Sequence, residues 1–269
     1  MEFPKFKTVQ IPFTLYDFFG YLLPGITFGA LMLLSFDLPN AIQLVTEKVL
    51  GHRTDSSPSF LFMDFISLLH KSPWFISLFG LLISYIIGHV IAALSSYFLE
   101  RIFVQAWLKY PTENMFQLNE KKKKWLFKNF RRSYTSEFVE RFKSQFELFF
   151  NLPISNSNDT FWITFSFIAH NCPSTFARAT HFLNLYGFSR NLSMTFLLSG
   201  LVLFIFELIY TQPLQWLIII SYIAISITLY WNYLKLLRRL NDEIYRGFYA
   251  FVTSSKYVAA APNRNKNVK

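Results

Sequence analysis

WFISLFGLLISYIIGHVIAALSSYFL, Trp74 to Leu99, runs for 26 residues without an Asp, Glu, Lys or Arg. A helix needs only ~20 apolar residues to cross a ~30 Å hydrocarbon core, so this stretch predicts a membrane-spanning helix. Three other runs read the same way: Thr14–Phe36, Leu192–Tyr210 and Leu214–Tyr230. Trp74, Tyr97, Tyr210, Trp216, Tyr230 and Trp231 sit near the ends of the runs, where aromatic belts form. The expected fold is all-α: a four-span transmembrane bundle with a helical cytoplasmic region. Composition agrees, since 52% of the 269 residues are hydrophobic and only 16% are charged, against about 25% in a soluble domain.

Basic residues set the orientation. All of the 26 Lys and Arg except Lys48, Arg53 and Lys71 fall before the first run, between the second and third, or after the fourth. The positive-inside rule therefore predicts both termini in the cytoplasm. The first apolar run starts late, is long and lacks a small-residue cleavage pattern, so no cleaved signal peptide is expected. Cys172 is the only cysteine, which excludes an intrachain disulfide.

Four regions follow. Residues 1–99 hold the first transmembrane pair and an external loop, and 100–190 a basic helical cytoplasmic region. Residues 191–231 form the second transmembrane hairpin, and 232–269 a cytoplasmic C-terminal helix and tail. In the basic region, Phe138, Phe142, Phe146 and Phe149 make one apolar helical stripe. Breaks are expected at Asn151–Asp159 and at Asn171-Cys172-Pro173, with a helix from Ser174 through the third span. No internal or inverted repeat suggests a secondary transporter.

TLYDFFGYLLPG, Thr14 to Gly25, places a charge and a helix breaker in a greasy segment. Thr14 and Asp17 fit a capping box, with the carboxylate against the positive end of the helix dipole. Pro24 lacks an N–H and crowds the carbonyl four residues back, at Gly20, so Gly20 and Pro24 form a candidate hinge. Gly25 and Gly29 make a GxxxG pair. In the second span Gly80, Ser84, Gly88, Ala92 and Ser96 recur every four residues, a small-residue stripe that lets backbones touch. The contact is expected either within the monomer or between subunits of a homo-oligomer, and Gly88→Leu is expected to block it.

Ionisable residues inside spans are candidate functional sites. His89 is read either as a pathway residue or as a neutral imidazole bonded to another helix. Glu207 either lines an outer vestibule or snorkels to water. Arg190 either reaches headgroups or pairs with Asp17. Outside the spans, KKKKWLFKNFRR carries seven basic residues in twelve: Lys121, Lys122, Lys123, Lys124, Lys128, Arg131 and Arg132. Trp125, Phe127 and Phe130 are interleaved. Anionic lipid is the favoured contact for such a juxtamembrane cluster; an acidic protein or nucleic acid is the alternative. His170, Cys172 and His181 lack zinc spacing, and no Walker, GxSxG or HExxH motif is present. No catalysis, metal or cofactor is expected.

YDFFGYLLPG (Tyr16–Gly25) and LYGFSRNLSMTFLL (Leu185–Leu198) resemble the Y-D-…-P-G opening and the aromatic-x-x-Arg-Asn span entry of uncharacterised bacterial multi-span membrane proteins of anti-phage defence systems. The resemblance covers roughly two dozen residues. It implies a non-enzymatic, oligomeric component of the bacterial inner membrane, acting as membrane-perturbing effector or as anchor and sensor for a soluble cytoplasmic protein. A housekeeping channel or transporter subunit using His89 and Glu207 is the alternative, and a passive scaffold a third reading.

Overall fold

A computed structural model describes residues 18–35, 73–118, 130–154, 159–210 and 216–254. Helices dominate, and no strand occurs among the described residues. A π-helical turn, Phe18–Leu22, leads into α1, Leu23–Ser35. Then come α2, Pro73–Ser95, extended by a π-helical stretch Ser96–Leu108, and the short α3, Pro111–Met115. The remaining helices are α4, Ser136–Phe150; α5, Asp159–Asn171; α6, Pro173–Tyr210; and α7, Trp216–Val252.

Among the described residues three helices are long and apolar enough to cross a membrane: Ser77–Met115, Pro173–Ile209 and Trp216–Val252. Phe18–Leu33 is a shorter apolar helix. Thr14, Asp17, the external loop, Lys121–Lys124, Trp125, Lys128 and the tail beyond Ser254 lie outside the described residues.

The chain divides into two compact units, residues Met1–Tyr97 with Phe188–Tyr230, and residues Phe98–Gly187 with Trp231–Lys269. The first unit is apolar on its outside as well as within. Leu82, Ile86, Val90, Leu208, Leu217 and Ile220 are all more than half exposed. An apolar surface on this scale suits hydrocarbon surroundings rather than water. Small and hydroxyl side chains add polar contacts to this apolar interior. Ser193 Oγ donates to the Ser226 carbonyl at 2.8 Å, and Ser226 Oγ to the Ser193 carbonyl at 2.9 Å, a reciprocal staple between α6 and α7. Ser35 and the Tyr222 hydroxyl meet at 2.9 Å. Where lipid is as apolar as the side chains, such bonds and close backbone packing replace the hydrophobic drive.

The second unit is built like a soluble domain around an aromatic core. Phe116, Phe142, Phe146, Tyr245 and Phe248 are almost wholly buried. Phe142 sits among them, with ring centroids 4.8 Å from Phe116 and 5.6 Å from both Tyr245 and Phe248. Its edge-to-face pairs with Tyr245 and Phe248 add quadrupole attraction to area burial. Thr135 caps α4, accepting from the Phe138 N–H, and Asn151 ends it in the left-handed region at φ 54°, a conformation Asn tolerates. Of the expected aromatic stripe, Phe142 and Phe146 point inward, whereas Phe149 lies at the rim, 38% exposed. Pro173 opens α6 directly after α5 ends at Asn171, because proline fits the first turn of a helix and not its interior.

Candidate functional site

Two polar clusters stand out, one in each unit. In the first unit the sequence problem posed by Pro24 has a structural answer. Proline cannot donate the bond that would close on the Gly20 carbonyl, and Asn191 Nδ2 from α6 donates to that carbonyl at 2.7 Å. The amide oxygen of Asn191 accepts from Ser95 Oγ of α2 at 2.5 Å and from Arg190 Nε at 3.3 Å. Thr195 Oγ1 donates to the Asn191 carbonyl at 3.0 Å and reaches the Pro24 carbonyl at 3.5 Å. Gly20, Pro24, Ser95, Asn191 and Thr195 are all buried. One asparagine thus ties three helices together beside Pro24, which has no N–H to offer the Gly20 carbonyl. The change from π-helical to α-helical bonding, at Leu22–Leu23, falls directly before Pro24.

Backbone contact beside this cluster explains the small residues. A Cβ added to Gly25 would collide with the Ser84 carbonyl, and one on Gly88 with the Tyr21 carbonyl. Gly88 and Ala92 are buried and Ser84 half-buried, whereas Gly80 and Ser96 are exposed. At Gly29 and Gly80 a Cβ would meet nothing within 4 Å. The middle of the stripe therefore packs within the monomer, against the first helix.

His89 lies on the exposed side of α2, stacked on Tyr21 at 3.9 Å with Tyr85 edge-on at 4.5 Å. The reason is helical register. Gly88, Ile91, Ala92 and Ser95 form the buried face, and His89 is rotated off it. Glu207, expected near water, is only 3% exposed. It shares the inward face of α6 with Ser199 and Leu203. Arg190 is 9% exposed. Its expected partner Asp17 lies outside the described residues.

The second cluster is a basic groove of about 1200 Å³ in the second unit. One wall is the segment from Phe130 to Phe138 with Arg132 and Tyr134; the other is the face of α7 bearing Trp231, Lys235, Arg238, Arg239, Asp242 and Arg246. Among the described residues Asp242 is the one carboxylate in the lining, and it is already engaged. Tyr134 donates to Asp242 Oδ1 at 2.7 Å, and Arg246 Nε donates to the same oxygen at 2.8 Å. Burial first, and then the Asp242 carboxylate, push the Tyr134 phenol well above its ordinary value. The hydrogen bond to Asp242 raises the Arg246 guanidinium, while burial lowers that of Arg238. Arg238 Nη1 donates to the Phe130 carbonyl at 2.9 Å, holding the two walls together.

Arg131 turns aside, donating to the Trp107 carbonyl at 3.0 Å, while Arg132 lines the groove. The α7 residues add a basic set distinct from Lys121–Arg132. Its sequence signal is the 4-3-4-4 spacing from Trp231 through Lys235, Arg238, Asp242 and Arg246, which is one helical face. Removing the Tyr134 hydroxyl tests the lock on that face. Tyr134→Phe is expected to cost about 1.5–3 kcal/mol, the worth of a hydrogen bond to a charged group, measured by thermal unfolding of the full chain. A change within about 0.3 kcal/mol, the scatter of distant sites, would show that Arg246 alone holds Asp242.

Burial raises the Cys172 thiol above its ordinary value, the opposite of what an activated nucleophile needs. Among the described residues no group of three or more His, Cys, Asp or Glu side chains is placed to hold a metal ion. No family model, curated protein or solved structure matches the chain.

Proposed function

We propose that this chain is a non-enzymatic membrane component of a bacterial antiviral defence system, working as an anchor and sensor for a soluble cytoplasmic partner. In this reading Thr14–Phe36 also crosses the membrane, which makes four spans, both termini are cytoplasmic in the inner membrane, and the second unit faces the cytoplasm. The observation that carries the anchor and sensor role is the pairing, in one chain, of a lipid-suited helical unit with a separately cored unit bearing a basic groove. A pore needs little beyond spans; an anchored receiver needs a folded surface outside them. The defence context rests on the Tyr16–Gly25 and Leu185–Leu198 resemblance.

A channel using His89 has one observation in its favour, the exposure of that side chain. It requires an oligomer in which His89 faces a neighbouring subunit. Gly29 and Gly80, with open space about them, are the positions at which such an assembly would be tested without disturbing the monomer.

The deciding experiment uses cells carrying the gene with its chromosomal neighbours, challenged with phage while membrane potential is recorded. Protection with unchanged potential, and loss of both protection and partner recruitment when Lys121–Lys124 are changed to Gln, are the expected results. Depolarisation on challenge, abolished by Gly80→Leu, would replace the anchor with an oligomeric membrane effector.

A further inference from the structure

We propose that the basic groove of the second unit is a phosphate-ester site, occupied by the headgroups of anionic phospholipids. The inference deepens the reading above, since it takes the apolar half of α7 as a span with its C-terminal end at the cytoplasmic surface.

Charge is the first argument. Among the described residues the groove gathers five cationic side chains around one carboxylate, and that carboxylate is held by Tyr134 and Arg246. Arg132, Lys235 and Arg239 are exposed and, among the described residues, form no ion pair with a carboxylate. A solvated helix face would spread such charges outward; here they converge on one concavity with a second wall. Guanidinium groups offer planar paired donors that match phosphate oxygens, and the ammonium of Lys235 adds a point charge.

Depth is the second argument. Trp231, 59% exposed in the groove lining, directly follows the apolar run that ends at Tyr230. At ~1.5 Å per residue, Lys235 lies ~7 Å and Arg239 ~13 Å beyond Tyr230 along α7. The headgroup layer is ~5–7 Å deep on each side of the hydrocarbon. Trp231 therefore falls at the level of an aromatic belt and Lys235 at the height of the lipid phosphates. Arg239, one turn further out, has a stem long enough to reach back to the same layer. A soluble phosphate ester shares the recognition chemistry but has no reason to prefer that depth.

The test uses the full chain in a neutral detergent, titrated with dioctanoyl phosphatidylglycerol, dioctanoyl phosphatidylcholine or glycerol 3-phosphate, with binding read by native mass spectrometry. Saturable binding of the phosphatidylglycerol, clearly tighter than of the other two, is expected. Lys235→Gln with Arg239→Gln should weaken it about 30-fold, the product of two cations at the membrane surface. Arg141→Gln with Lys143→Gln, an equal charge loss on α4 outside the groove lining, should leave it within about twofold. Thermal midpoints without lipid report folding, and Arg132→Gln provides a second groove variant if the first is unstable. Equal binding of both lipids, or groove variants that bind like the native chain, would overturn the proposal. Glycerol 3-phosphate binding as tightly as the lipid would keep the phosphate-ester site and overturn its lipid source. No phage or partner enters the measurement, so its failure is separate from failure of the defence reading.

Discussion

Gly88→Ala and Gly25→Ala are each expected to destabilise the chain by about 3 kcal/mol or more, although alanine is intrinsically the better helix former by about 1 kcal/mol. The added methyl has nowhere to go. On Gly88 it meets the carbonyl of Tyr21, and on Gly25 the carbonyl of Ser84. Both obstacles are backbone, so no side chain can rotate away, and α1 must separate from α2. Overpacking of this kind costs about 1–3 kcal/mol and sometimes more, and separation would also strain the bonds around Asn191. The same substitution at Gly29 or Gly80 meets open space and is expected to be neutral or to stabilise by up to about 1 kcal/mol. Thermal unfolding in detergent separates the cases. A loss of about 6–12 °C at Gly25 and Gly88 is expected, following the usual 2–4 °C per kcal/mol for chains near this size. Equal behaviour at all four glycines would mean that α1 and α2 do not meet through their backbones. Gly88→Leu consequently probes the monomer's own packing and is unsuited to testing subunit assembly.

The second large effect is expected at Asn191. Asn191→Leu keeps much of the volume but removes the Nδ2 donor that reaches the Gly20 carbonyl at 2.7 Å. Ser95 keeps an acceptor in the Ala92 carbonyl at 2.8 Å, so the loss falls on Gly20 and, through the longer 3.3 Å contact, on Arg190. A buried acceptor left without its partner costs about 1–3 kcal/mol, and a value near the middle of that range is expected here. The informative comparison is with Pro24→Ala, which returns an N–H to the helix four residues after Gly20. In that background Asn191→Leu should cost less than half as much. Such a coupling in a double-mutant cycle assigns the asparagine to the carbonyl that proline leaves free. Additive effects would show that the amide serves only Ser95 and Arg190.

These two sites also show what the sequence could and could not reveal. The apolar runs around Trp74–Leu99, Leu192–Tyr210 and Leu214–Tyr230 are legible because hydrocarbon length is a one-dimensional constraint. Asn151 and Pro173 are legible as breaks because their conformational preferences are local. The four-residue repeat through Gly88 announces close packing, yet its partner, the first helix rather than a second subunit, depends on which helices are neighbours. Pro24 signals a freed carbonyl, but nothing local says that the donor sits 171 residues away. His89 looks central by position along its span and is peripheral by rotation about it. The groove is the least legible feature. Its two walls are joined by the Tyr134–Asp242 bond, across 108 residues, and each wall alone resembles an ordinary solvated surface.

The bond between Asn191 and Gly20 has a consequence for biosynthesis. The first helix leaves the ribosome long before the residue that completes it. At about 5–20 residues per second, the intervening chain takes roughly 10–30 seconds to translate. Throughout that interval the proline-freed carbonyl sits in a nascent helix whose donor does not yet exist. Until the α6 asparagine is made, a partner for that carbonyl can come only from the chain already made, from water or from another molecule.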